Sequence, residues 1–184
     1  MRHLVFLLEE PSARDALQAW LPHWLPAQVT LHFVVFQGKQ DLVKRMALRM
    51  RHWLKPDSQF VVLRDQDSGD CKAVKAALTE RCIAAGRPDA VVRVACRELE
   101  SFFVGDWAAV GQAFNKPALV KLVNKAMYRN PDALGPPSQE LARHIPGYQK
   151  RDGARRIAPL MDPSRNTSSS FHALRRAILN LGAA

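Results

Sequence analysis

Cysteine is scarce in this chain. Cys71, Cys82 and Cys96 are the three in 184 residues, an odd number with no C-x-x-C spacing. That usage argues against a disulfide framework and against a zinc site, and it fits reduced thiols in a cytoplasmic protein. Long apolar runs are also missing: nothing approaches the roughly 18 to 20 residues of a membrane span. The amino-terminal MRHLVFLLEE has a short apolar stretch, but it ends in two glutamates instead of a small-residue cleavage site. It reads as a first strand, not as a secretory signal. His3, His23, His32, His52, His144 and His172 show no metal-ligand spacing, and Gly38-Lys39 lacks the spacing of a P-loop. Acidic residues are in deficit, 17 against 27 lysines and arginines, for a net charge of +10. Such a field attracts polyanions, nucleic acid first.

What is present suffices for one domain with a real core, or one domain with a helical appendage. Hydrophobic residues make up 47% and charged residues 24% of the chain, proportions of a soluble globular protein. Apolar and β-branched runs predict strands over 3–8, 29–36, 60–63 and 90–95. Between them, apolar periodicity predicts helices over 13–20 with Ser12 as cap, 42–54, 70–85 and 99–114. Strictly alternating elements imply an α/β fold with a mostly parallel, four-stranded sheet flanked by helices. After Asn115 no strand is predicted. Short helices are expected at 121–128 and 138–144, loops at 130–137 and 147–153, and a basic amphipathic helix at 171–181. The chain therefore divides into an α/β domain, residues 1–114, and a helical, loop-rich extension, residues 115–184, packed on it. Trp20, Trp24, Trp53 and Trp107 fall on apolar faces and are expected in the core.

The segment QFVVLRDQDSGD, residues 59–70, carries the sharpest signal. An apolar strand ends and delivers Asp65, Asp67 and Asp70 together. Strand ends in an open α/β sheet face the crevice where such folds bind ligands. Asp65 and Asp67 are two apart, so in extended chain both carboxylates project to one side and can reach one hard cation. The same residue types also favour a surface turn, and the twelve residues alone leave both readings open. Asp70, just before a helix, is explained as its cap. Two other strand ends are acidic: Glu9 and Glu10 after the first, Glu98 and Glu100 in CRELE after the fourth. A glutamate at a helix start is commonly a dipole partner, a reading that covers Glu98 and Glu100 and part of Glu10. In a parallel sheet, however, all three ends lie on one edge. One or two Mg²⁺ or Mn²⁺ ions held by Glu9, Asp65 and Asp67, with Glu98 or Glu100 as a further ligand or base, would suit phosphodiester chemistry.

The basic residues are clustered. Lys39 follows the second strand near the same edge and could neutralise a phosphate. GYQKRDGARRIA places Lys150, Arg151, Arg155 and Arg156 beside Tyr148, a combination suited to backbone contact and base stacking. A charged loop and helix face explains those residues equally well. Cys96 has no partner histidine placed by the sequence.

A hydrophobic strand ending in Glu, followed by a later strand ending in Asp-x-Asp, resembles the Toprim domain, the metal-binding α/β domain of topoisomerases, primases and OLD-type nucleases. More narrowly, LLEEPSARDAL, FQGKQDL, VVLRDQDSGDC, VACRELESFFVGD and GYQKRDGARRIAP look like the DUF4276 family of Toprim-like proteins, over nearly the whole chain. The resemblance implies Glu9 in the place of the Toprim glutamate, with Glu10 where that motif has glycine, so that either could be the ligand. It places Asp65 and Asp67 at the Asp-x-Asp pair. It also implies an ATPase partner and a role in bacterial defence against phage. The expected function is a Mg²⁺-dependent, Toprim-like nuclease. A non-catalytic nucleic-acid-binding or regulatory subunit of an ATPase complex is the alternative, and a nucleotide phosphotransferase would share the same site.

Overall fold

The computed structural model describes residues 2–183. Four strands, β1 (His3–Leu8), β2 (Thr30–Val35), β3 (Ser58–Asp65) and β4 (Val91–Ala95), form one sheet in the order β2-β1-β3-β4. Every pairing is parallel. The mostly parallel four-stranded sheet expected from the alternation is thus present and wholly parallel. The register aligns the strand ends: Leu8 pairs with Val35 and Leu63, and Asp65 with Ala95.

Side-chain alternation divides the core into two layers. Val5, Leu7, Phe60 and Val62 face Leu42, Met46 and Met50 of α2 (Lys39–Arg51) and Leu78 and Cys82 of α3 (Cys71–Ala84). Leu4, Phe6, Leu8, Val61 and Leu63 face the opposite layer, built on α1 (Pro11–Trp24). The carboxyl-terminal segment completes that second layer. Ala154 and Ile157 of α7 (Lys150–Ile157) and Phe171, Leu174 and Ile178 of α8 (Ser169–Ala183) belong to the same cluster as Trp20 and Phe102. Phe171 meets Trp20, Trp24 and Phe102 edge-on, with centroids 5.3, 5.7 and 5.6 Å away. The Trp20 indole N–H donates to the Ala158 carbonyl at 3.0 Å. Among the described residues no helix is long and apolar enough to cross a membrane.

Several elements differ from the sequence expectation. Helix α1 begins at Pro11, whose fixed φ suits the first helical position, so Glu10 and not Ser12 is the cap residue. The Ser12 hydroxyl is buried without a partner. Helix α2 starts at Lys39 because Gly38, at φ 90°, turns the chain there. The helix expected over 99–114 is broken into α4 (Glu100–Val104) and α5 (Trp107–Ala113), with the Asp106 side chain accepting the Ala109 N–H at 3.1 Å to start α5. Residues 117–133 form 3-10 turns, and α6 spans Pro137–His144. The loop expected at 147–153 runs into helix α7 from Lys150 onward. Trp53 is half-buried at the sheet edge, packed between His32 and Phe60, while the other three tryptophans are core.

Candidate metal centre at the carboxyl edge of the sheet

Strand order and register bring three acidic loops to one edge. Glu10 follows β1 and opens α1, Asp65 is the last residue of β3, and Glu100 opens α4 behind β4. One carboxylate oxygen from each lies within 4.8 Å of the others. Asp65 and Glu100 are buried, 8% and 0% exposed. The Asp65 carboxylate is fixed by accepting the Leu99 N–H at 2.9 Å. Tyr148 donates to Glu100 Oε1 at 3.5 Å, and Glu100 Oε2 is buried without a hydrogen-bond partner.

The sequence expectation of Glu9, Asp65 and Asp67 as one ligand set meets a different arrangement. Consecutive residues at a strand end point to opposite sides, so Glu9 and Glu10 diverge. Glu9 Oε2 accepts the Asp65 N–H at 3.2 Å and lies 3.7 Å from Arg64 Nε. Asp67 adopts a left-handed backbone, φ 57°, which turns it out of the extended alternation that would have aligned it with Asp65. Its Oδ2 instead accepts from Lys39 Nζ at 2.9 Å and lies 3.9 Å from Arg64 Nη2. Glu98 accepts the Ser138 N–H at 2.8 Å, holding the start of α6. Asp65 and Glu100 are therefore brought together with Glu10, while Glu9 and Asp67 form a second, neighbouring acidic group. The sequence leaves the choice between Glu9 and Glu10 open, with Glu10 in part a dipole partner. The order Glu-Glu-Pro holds the signal that could have raised it, because Pro11 makes Glu10 the residue at the mouth of the helix.

A cation already stands among the three carboxylates. Lys150 Nζ lies 3.3 Å from Glu10, 3.5 Å from Glu100 and 3.9 Å from Asp65. It was expected on an outward phosphate-binding face. Its basic neighbours are also engaged. Arg151 and Arg155 both donate Nε to Asp15 Oδ2 at 3.0 Å. Arg156 donates to the Ala113 carbonyl at 2.7 Å and stacks on Phe114 at 4.3 Å. All three keep roughly half of their side chains exposed.

The crowding sets the proton affinities. Burial, then Glu100 and Glu10, holds Asp65 well above the ordinary carboxylate range. Burial pushes Glu100 up to about 7 against the pull of Lys150. Burial, then Asp67, raises Glu9. Burial opposes the charge on Lys150, but Glu100, Glu10 and Asp65 outweigh it and hold its pKa above the usual lysine value. One ammonium against three carboxylates leaves a site short of positive charge. An all-oxygen donor set, with Glu100 Oε2 accepting no hydrogen bond and only the Lys150 ammonium 3.5 Å from it, fits a hard divalent cation. Beside it, a cleft of about 170 Å³ is lined by Asp67, Ser68, Arg97, Glu98 and Pro136.

The fold and this edge define an all-parallel α/β protein whose acidic groups gather at the carboxyl ends of the strands. Residues 8–179 match the family described as "Domain of unknown function (DUF4276)", and the chain belongs to that family. No curated protein matches it. Among solved structures it is similar to the C-terminal region of the Burkholderia pseudomallei OLD protein, with a TM-score of 0.62 over 98% of each chain at 15% identity. That likeness is one of fold.

Proposed function

We propose that the protein is a divalent-metal-dependent, Toprim-like nuclease that hydrolyses phosphodiesters of DNA or RNA. The observation that carries this reading is the meeting of Glu10, Asp65 and Glu100 at the sheet's carboxyl edge in a chain of net charge +10. Glu10, Asp65 and Glu100 would hold Mg²⁺ or Mn²⁺, which supplies a lowered water pKa and charge stabilisation at the phosphate and leaving oxygen. Lys150 offsets part of the mutual repulsion of the three carboxylates. Lys39 and Arg64 hold Asp67 and Glu9 beside the site, leaving their cationic heads near an approaching phosphate. The half-exposed guanidinium groups of Arg151, Arg155 and Arg156 supply sequence-independent attraction for the backbone. The resemblance to Toprim and OLD-type proteins supports the metal, an ATPase partner and a setting in defence against phage.

The test is cleavage of supercoiled plasmid and of RNA with Mg²⁺ or Mn²⁺. Glu10→Gln and Asp65→Asn are expected to lose at least the roughly 10- to 100-fold of activity that mutating a metal site's supporting residues costs. Equal cleavage by wild type and both variants would sink the assignment. Asp67→Asn is the internal control: with the ligand set Glu10, Asp65 and Glu100, it retains more activity than Asp65→Asn.

The presence of Lys150 inside the acidic cluster favours a second reading, a non-catalytic nucleic-acid-binding or regulatory subunit whose carboxylates are already satisfied. Steeply salt-dependent DNA binding with no Mn²⁺ heat in calorimetry would select it.

A further inference from the structure

Cys71 and Cys96 lie outside the acidic cluster and serve none of the roles above. Cys71 opens α3, and Cys96 is the first residue after β4. Their sulfurs stand 3.7 Å apart, although 25 residues separate them in the chain. Closure to a disulfide needs a bond of about 2.05 Å, so the sulfurs must approach by less than about 2 Å. Both are half-buried, and both line a cleft of about 280 Å³ shared with Lys75, Arg93, Asp132 and Ser170. A small oxidant can therefore reach the pair. The Cys96 N–H donates to Ser170 Oγ at 3.3 Å, which holds that end of the pair in place. Cys82, the remaining thiol, is buried in the core on the inner face of α3.

We propose that Cys71 and Cys96 are a reversible redox pair that a peroxide closes to an intramolecular disulfide. The Cys71 sulfur attacks one peroxide oxygen; the O–O bond breaks, water leaves, and Cys71 becomes a sulfenic acid. The Cys96 sulfur then attacks Cys71 Sγ, forming the S–S bond and displacing the hydroxyl as a second water with the Cys96 proton. Two thiols are oxidised by two electrons and one peroxide is reduced to two waters. The order follows from position: Cys71 stands in the first turn of α3, whereas burial raises the Cys96 thiol and makes it the poorer first nucleophile. The bond would tie the 66–70 turn, which carries Asp67, to the segment that carries Glu98 and Glu100. The pair does not depend on the nuclease reading and is tested apart from it.

Reduced, desalted full-length protein is exposed to hydrogen peroxide, and thiols are counted after denaturation. The count is expected to fall from three to one, with Cys71 and Cys96 recovered in one cross-linked peptide, and dithiothreitol is expected to restore all three. In Cys96→Ser the same treatment is expected to leave Cys71 as a sulfenic acid, trapped by dimedone. A count that stays at three, a sulfinic acid on Cys71 of the wild type without a cross-link, or a disulfide joining two copies would each overturn the proposal.

Discussion

Glu100 is the residue on which the electrostatics of the site turn. It is fully buried, its Oε2 lacks a hydrogen bond, and its pKa is pushed up to about 7 from an ordinary 4.5. A raised carboxyl pKa contributes stability that is full below the unfolded value and is lost as pH rises through the folded one. Without metal, stability should therefore fall between about pH 4.5 and about 7. Glu100→Gln is expected to flatten that fall, by an amount on the order of a few kcal/mol, in urea midpoints measured across the window. Metal reverses the balance: its binding must expel the proton, so Mn²⁺ affinity should rise with pH to about 7, and calorimetry in buffers of different ionisation enthalpy should register the release. Asp65 was legible at this scale because a strand stops there in apolar sequence. The choice between Glu9 and Glu10 was not, since it depends on which side each residue takes as β1 gives way to α1. The Asp65–Asp67 pairing failed as geometry because spacing of two aligns side chains only while the backbone stays extended, and Asp67 does not.

Helix α7 shows what a single element contributes and why it was hard to foresee. GYQKRDGARRIA contains two glycines and few apolar residues, so the segment reads as a loop although Gly153, Ala154 and Ile157 share a buried face; the helix is held by tertiary contacts. Asp15 of α1 receives Arg151 and Arg155, and burial notwithstanding, the two guanidinium groups with Arg14 lower its pKa. Asp15→Ala is expected to cost about 1–3 kcal/mol in chemical denaturation, the scale of lost charge-assisted hydrogen bonds. It should also loosen Lys150, whose position depends on the same helix. Gly153 has a steric role: a Cβ there would overlap the Tyr148 ring. Gly153→Ala is expected to displace Tyr148 from Glu100, at about 1–3 kcal/mol of overpacking, with a change in tyrosine fluorescence or Mn²⁺ affinity as the readout. The strands, by contrast, could be read directly, because VFLL, FVVL and VVRVA are apolar and β-branched enough to leave no competing period. The break between α4 and α5 escaped notice because Gly105 and Asp106 sit inside an otherwise continuous apolar pattern.

At the scale of the molecule, the sequence division at residue 114 separates textures more than it separates cores. Phe171 and Ile157 are fully buried against Trp20 and Phe102. Residues 1–114 alone are expected to show no cooperative unfolding transition, and Phe171→Ala in the full chain should cost about 3–5 kcal/mol, a large share of a domain's total stability. Both are checked by thermal melts followed by circular dichroism. The parallel sheet was legible because strands and helices alternate through residue 114. The closure of its second layer by α7 and α8 was not, because those contacts span more than a hundred residues.

That span gives Lys150 a meaning in time as well as in space. Glu10, Asp65 and Glu100 all leave the ribosome before it does, and Glu10 precedes it by 140 residues. From the emergence of Glu100 to that of Lys150 the growing chain carries all three carboxylates without the lysine that stands among them. The acidic edge is complete only once the final fifth of the protein has been made and docked, so a truncated or half-folded copy cannot present the finished site.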